Sequence, residues 1–164
     1  MLLSIDPGIN GAYTLFEADK PIFSDRITKK DIIKNGSIKM YSNQLFSKLA
    51  THDIHTVVLE EQQPYPGDTP NTAFTMGALQ ASLLALIEST FHEAILVQIK
   101  PKKWQAIIRK SSDVIHINTK KQSVYFVEEE LKASYLLYPG RCKNPHDGIA
   151  DSICLGYAYI KLIK

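Results

Sequence analysis

The chain is poor in the residues that staple or anchor a protein. Its 164 residues include two cysteines, Cys142 and Cys154, and one tryptophan. Two thiols so placed cannot build a disulfide framework, and neither has metal-site partners at the usual spacing. They read as small reduced thiols in a reducing compartment. Long apolar runs are also missing. The best stretch, Met76 to Ile87, is broken by Gly77, Gln80 and Ser82, whereas a bilayer span needs about 20 apolar residues. Asp6 directly follows Met1-Leu2-Leu3-Ser4-Ile5, so the start does not read as a secretory leader. The expected setting is cytoplasmic, with no membrane. Charge of one sign is scarce: the formal net charge is +2, with 22% charged and 45% apolar residues. That composition excludes disorder, collagen and coiled coil. No repeat, low-complexity segment or linker divides the chain, so residues 1–164 are expected to form one domain. At that length about two-thirds of the unfolded surface is buried, and a core needs no staples.

What charge there is sits unevenly. Residues 1–99 hold seven basic and eleven acidic residues, a net of −4, and residues 100–164 hold twelve and six, a net of +6. Lys100, Lys102, Lys103, Arg109, Lys110, Lys120 and Lys121 face only Asp113 within residues 100–121, with Trp104 among them. A concentrated basic segment suits a polyanionic partner, although a solvated helix face would read the same way.

Apolar runs and turn signals predict an α/β protein. Leu2–Ile5 reads as a buried strand closed by the turn Asp6-Pro7-Gly8. Gly11–Glu17 and Pro21–Ile27 continue it as an antiparallel meander. Met40–Ala50 has roughly helical spacing and predicts a helix. Thr56–Leu59 and Ala94–Ile99 predict two more strands, with a long helix over Asn71–Ser89 between them and a proline-rich loop over Gln62–Pro70. A short helix over Lys103–Ile108, a loop over Ser111–Thr119 and an amphipathic helix over Lys120–Tyr135 follow. Pro139–Asn144 reads as loop. A last helix is expected to begin at Pro145, with Asn144 as its N-cap, and to run to about Lys161. The whole predicts a five-stranded mixed sheet flanked by helices: three antiparallel strands, then two added by helical crossovers.

Four carboxylates stand out against that plan. Asp6 and Glu60 each follow a buried strand, where sites form in open α/β sheets. Asp147 and Asp151 lie four apart, on one face of the last helix, and repel each other there. Individually, Asp6 could cap its turn, Glu60 could be a solvated strand end beside Glu61, and Asp147 suits a helix N-terminus. Asp151 is harder to explain, because it sits within the apolar stretch Ile149-Ala150-Asp151-Ser152-Ile153-Cys154-Leu155. A buried carboxylate needs a partner or a cation, and hard oxygen ligands without thiolates or clustered histidines favour Mg²⁺ or Mn²⁺.

Several stretches carry a resemblance. Ile5-Asp6-Pro7-Gly8 with Gly11 resembles the first motif of RuvC-like Holliday junction resolvases, in the RNase H-like superfamily. Val57-Val58-Leu59-Glu60 resembles the second. His146-Asp147-Gly148-Ile149-Ala150-Asp151 is similar to the form found in phage and other mobile-element members. Pro66, Phe74 and Gly77 fall where that subgroup has Pro, Phe and Gly, and Pro101-Lys102-Lys103-Trp104 resembles its P-x-K-W segment. The match spans nearly the whole chain in the right order. Two features depart from it. Housekeeping members usually place the last two acidic residues three apart, not four, so His146 competes with Asp147 for the site. Glu60 and Glu61 are adjacent and point to opposite faces in a strand, so only one can be a ligand; counting from Phe74 and Gly77 favours Glu60.

The resemblance implies a nuclease that cuts four-way DNA junctions by paired symmetric nicks in recombination and repair, leaving 5′-phosphates. It implies two Mg²⁺ about 3.5–4 Å apart, replaceable by Mn²⁺, on Asp6, Glu60, Asp147 and Asp151. Lys121, near the start of a helix, is the candidate catalytic cation. Lys102, Lys103, Arg109, Lys110 and Lys120 are candidate contacts to the DNA backbone, and Tyr65 a candidate stacking residue at the junction centre. Trp104 reads as core. A twofold homodimer would present two sites to a four-way substrate, and the apolar surface of Asn71–Ser89 is its candidate interface, a fully buried central helix being the other reading. Competing functions are an RNase H-like nuclease for flaps, other branched DNA or RNA–DNA hybrids, a junction binder that does not cut, and an actin-like kinase or ATPase. The last needs two lobes, for which 164 residues are too few.

Overall fold

The structure, a computed structural model, describes residues 1–8, 10–36, 38–49, 51–63, 67–116, 118–140 and 143–164. Tyr65, Pro66 and Cys142 lie outside them.

In chain order the strands are β1 (Leu2–Asp6), β2 (Ala12–Glu17), β3 (Lys20–Arg26), β4 (Ile32–Asn35), β5 (Ile38–Tyr41), β6 (Thr56–Glu60) and β7 (Ile95–Ile99). The helices are α1 (Pro70–Thr90), α2 (Pro101–Lys110), α3 (Thr119–Tyr125) and α4 (Asp147–Ile163). One sheet has the order β3-β2-β1-β6-β7. Its first three strands are antiparallel, and β1, β6 and β7 run parallel. This is the expected five-stranded mixed sheet.

Strand alternation sorts the core into two layers. Leu3, Ile5, Val57 and Leu59 face α1 and the segment 41–49. Val58, Ala12 and Phe16 face α2, α3 and α4. By the same parity Ser4 and Asp6 on β1, and Glu60 on β6, point to the α4 side. The parallel register Ser4↔Val58, Ile5↔Leu59 brings Asp6 and Glu60 level at the carboxyl ends of neighbouring strands.

A line of buried hydroxyls seats α4 on the sheet. Ser4 Oγ donates to the Ser152 carbonyl at 2.7 Å. Ser152 Oγ donates to the Ile149 carbonyl at 2.9 Å and lies 2.6 Å from Thr14 Oγ1, which lies 2.9 Å from Ser24 Oγ. With the Ser152 proton committed to Ile149, Thr14 must donate to Ser152, and Ser24 to Thr14.

Three expectations are corrected. Met40–Ala50 forms no helix. Gly36 turns the chain at φ +61, β4 and β5 pair as a hairpin in a separate two-stranded sheet, and only a short helical turn follows at Ser47–Leu49. Between them Ser42 Oγ accepts from the Gln44 N–H and Ser47 Oγ donates to the Gln44 carbonyl, local bonds that compete with a helix. The buried Leu45, Phe46 and Leu49 gave the helical spacing. The crossover into β6 is therefore a hairpin, not a helix. The helix expected to reach Tyr135 stops sooner: it widens to a π-type turn at Phe126–Glu130, closed by Leu131 N–H on the Phe126 carbonyl at 3.0 Å. Lys132 then turns at φ +52. Finally, α4 starts at Asp147 rather than Pro145. Its N-cap is His146, whose Nδ1 accepts from the Ile149 N–H at 3.3 Å.

Candidate active site

Asp6, Asp151, Asp147 and Lys120 line one cleft of about 620 Å³, together with the turn Pro7-Gly8, Asn10 and the start of α4. Glu60 stands beside it, close enough to Asp6 and Asp151 for each pair to feel the other's charge. Glu61, past the strand end, has the opposite parity. Its backbone N–H bonds the Ile99 carbonyl and its carboxylate accepts from Gln63.

The walls of the cleft are tightly set. The turn after β1 is held by Tyr41, whose hydroxyl oxygen accepts the Gly8 N–H at 2.8 Å, and by Gln62, whose amide donates to the Pro7 carbonyl. Tyr41 comes from the hairpin that sequence reasoning took for a helix, so its role was not foreseen. At the start of α4, Gly148 permits a close approach. A Cβ there would stand 2.5 Å from the Asn10 carbonyl oxygen and 3.2 Å from Asp6 Oδ2. Gly148 was visible as a motif residue, and the packing supplies its reason.

The electrostatics are those of an acidic cluster removed from water. Burial, then the charges of Asp151 and Glu60, raise the Asp6 carboxyl well above its usual range, and Lys120 opposes them. Burial pushes Glu60 up to about 7, against the hydrogen bond it receives from Trp104. Burial pushes Asp151 up to about 6, with the Ser123 hydroxyl beside it pulling the other way. Burial and the charge of Arg26 lower His146. Burial and mutual repulsion thus make the ionised form of these carboxyls costly, and a positive partner would lower that cost.

Lys120 Nζ lies 3.0 Å from Asp147 Oδ2, and the bond to Asp147 raises the lysine's pKa. The sequence reading gave the catalytic cation to Lys121 and left Lys120 on the DNA backbone. In the fold Lys120 reaches the carboxylates, while Lys121 is exposed and does not line the cleft. Adjacent helical residues point about 100° apart, a choice the sequence left undecided. Lys102, Lys103, Arg109 and Lys110 all lie exposed on α2. Trp104 is buried at 2% exposure, as expected of core, but its indole N–H also donates to Glu60 Oε2 at 2.6 Å. Tyr65 is outside the described residues. His146 lines the cleft with its Nδ1 engaged as the cap.

The donor set is all hard oxygen, and its shared, half-neutralised charge fits a divalent cation of the Mg²⁺ kind. Among the described residues no three acidic, histidine or cysteine side chains close on one point. The fit therefore rests on donor chemistry and charge.

A mixed sheet of this order, with helices on both faces and carboxylates at the ends of its central parallel strands, defines an RNase H-like fold. Two of the solved structures that share it are junction resolvases by name. T. thermophilus RuvC in complex with a Holliday junction substrate superposes with a TM-score of 0.60 at 12% identity, covering 98% of this chain and 95% of that one. The yeast mitochondrial Holliday junction resolvase Ydc2 does so with a TM-score of 0.51 at 18% identity, covering 98% and 78%. No protein-family model and no curated protein matches the sequence. Among the described residues no helix is long and apolar enough to cross a membrane.

Proposed function

We propose that this protein is a metal-dependent endonuclease that resolves four-way DNA junctions by paired nicks. What supports the reading is that Asp6 and Glu60 end neighbouring strands with Asp151 near enough to affect the charge of both, each carboxyl raised first by burial, on a fold shared with junction resolvases. Asp6, central in the sheet, Glu60, Asp151 and Asp147 are the residues that would hold the two Mg²⁺. Bound there, the cations would lower the pKa of a water and offset charge on the scissile phosphate. Mn²⁺ would substitute, since it takes the same hard ligands.

The chain's own residues divide the remaining work. Lys120, already turned to the carboxylates, is the candidate cation for the phosphate, where a fixed positive charge counts most in the transition state; Lys121 becomes a flanking contact. Lys102, Lys103, Arg109 and Lys110 supply a basic face for DNA backbone. Two symmetric cuts need two sites, which a twofold dimer provides. For that interface α1 offers its outward face, where Phe74 is 56% exposed. Leu79, Leu83, Leu86 and Ile87 are spent on the core instead.

The test uses purified protein, Mg²⁺ and a labelled four-way junction beside duplex, flap and RNA–DNA hybrid. Paired symmetric nicks with 5′-phosphate ends, lost in Asp6→Asn, are expected. Preference for flaps or hybrids would move the substrate to another branched nucleic acid. Tight junction binding without cutting, in Mg²⁺ or Mn²⁺, would refute the catalytic reading.

A further inference from the structure

The only tryptophan of the chain is spent at an unusual place. Trp104 is 2% exposed, anchored on the first turns of α2 with Ile108 one turn on, in the layer that packs against α4. Its Nε1–H is aimed at Glu60 Oε2, at 2.6 Å. An indole N–H can only donate, and its bond to Glu60 favours the ionised carboxylate, against the burial that raises it. Pro101 at the first helical position and Lys100 as N-cap start α2 directly after β7, the strand paired with β6. The indole thus reaches Glu60 from the next strand over.

We infer that Trp104 is a positioning residue: its indole N–H holds Oε2 of Glu60 and so fixes the carboxyl in place for the cation that Glu60 would help to hold. The inference rests on the metal reading above and adds to it a residue that touches neither cation nor DNA. It explains why this core position is filled by an aromatic with a polar edge rather than by Phe or Leu. Groups that orient a ligand in this way are commonly worth ten- to a hundredfold in metal affinity. It also makes the lone tryptophan an internal reporter, since a cation arriving at Glu60 changes the charge hydrogen-bonded to the indole.

The experiment compares Mn²⁺ binding, by calorimetry on the full chain without DNA, in four proteins. These are the wild type, Trp104→Phe, a form carrying benzothienylalanine at position 104, and one carrying 7-azatryptophan there. Benzothienylalanine keeps the shape of tryptophan and lacks the N–H; 7-azatryptophan keeps both. The expected result is a ten- to hundredfold weaker affinity for the benzothienyl form. The azatryptophan form should stay within about threefold of wild type, and unfolding midpoints without metal should agree within a few degrees for both. Trp104→Phe should weaken binding as well. In the wild type, Trp104 emission should change along the calorimetric curve, a readout that needs no variant to fold. Wild-type binding with an undiminished benzothienyl form, or with an emission that ignores bound cation, would overturn the role of Trp104 alone. A wild type that binds no Mn²⁺ would overturn the metal reading and this inference together.

Discussion

Raising the pH should destabilise this protein when divalent cations are removed. Glu60 rises from an ordinary 4.5 to about 7, and Asp151 from 3.8 to about 6. The folded chain therefore holds protons between about pH 4 and 7 that the unfolded chain has released. Linkage gives the sign: when the folded state binds more protons, stability falls as pH rises. The stabilising share is complete below about pH 4 and is lost as pH passes through 6 and 7. At about 1.36 kcal/mol per tenfold in proton affinity, each carboxyl contributes about 3 kcal/mol. The two share one cluster, so their joint effect is less than the sum, about 3–5 kcal/mol. For a chain of this size, 1 kcal/mol moves the midpoint by about 2–4 °C, so 3 kcal/mol is worth about 6–12 °C. Calorimetric melts in EDTA from pH 4 to 8.5 should show that fall, nearly all of it between pH 4 and 7, and excess Mg²⁺ should remove most of it. Asp6→Asn removes one more carboxyl that burial raises in the same way and should flatten it. A midpoint that is level or rising over this range in EDTA, and indifferent to Mg²⁺, would refute the argument that burial and mutual repulsion load these carboxyls with protons.

Four further outcomes follow from the geometry. Lys120→Ala should slow junction cleavage by about 100-fold in a gel assay, and Lys121→Ala far less. Its cost in stability should stay below about 1 kcal/mol, because the pair with Asp147 is largely exposed. Gly148→Ala forces a Cβ against the Asn10 carbonyl; denaturant melts should show a loss of about 1–3 kcal/mol, accompanied by lost cleavage. Ser152→Ala leaves the Thr14 hydroxyl without its acceptor and should cost about 1–3 kcal/mol, read in the same way. Phe74→Asp should shift the sedimentation coefficient to that of a monomer and uncouple the two nicks of a junction.

The sheet was legible because its strands are short apolar runs with clear turns: Leu2–Ile5 into Asp6-Pro7-Gly8, Thr56–Leu59 into Glu60. Parity alone separates Glu60 from Glu61 once β6 exists. Less legible was anything that depends on packing between distant segments. Leu45, Phe46 and Leu49 are buried from a turn and a short helical turn with the spacing of a helix, and Tyr41 meets Gly8 only because the hairpin folds back on the β1 turn. Lys120 and Lys121 are chemically alike, and only the fold shows which of them meets a carboxylate: Lys120 pairs with Asp147, on a helix whose N-cap Asn118 accepts the N–H groups of both residues. Trp104 looked like core and is core; its hydrogen bond is invisible to a pattern of apolar positions.

The four carboxylates are not held alike, and the difference matters for how a cation would enter. Glu60 is tethered to a buried indole, and Asp151 sits on a helix seated through Ser152, Thr14 and Ser4. Moving either means breaking buried polar bonds, each a cost of about 1–3 kcal/mol. Among the described residues Asp147 pairs with Lys120, across an ion pair whose side chains are 47% and 65% exposed. Such a pair contributes about 0–1 kcal/mol, so Asp147 can exchange the lysine for another cation at small cost. Lys120, once released, would be left with the charges of Asp6 and Asp151 before it and, on the proposed function, with a phosphate as the partner to replace Asp147. On that reading the carboxylates tied by buried bonds would fix the site, while the exposed ion pair would give way to cation and substrate.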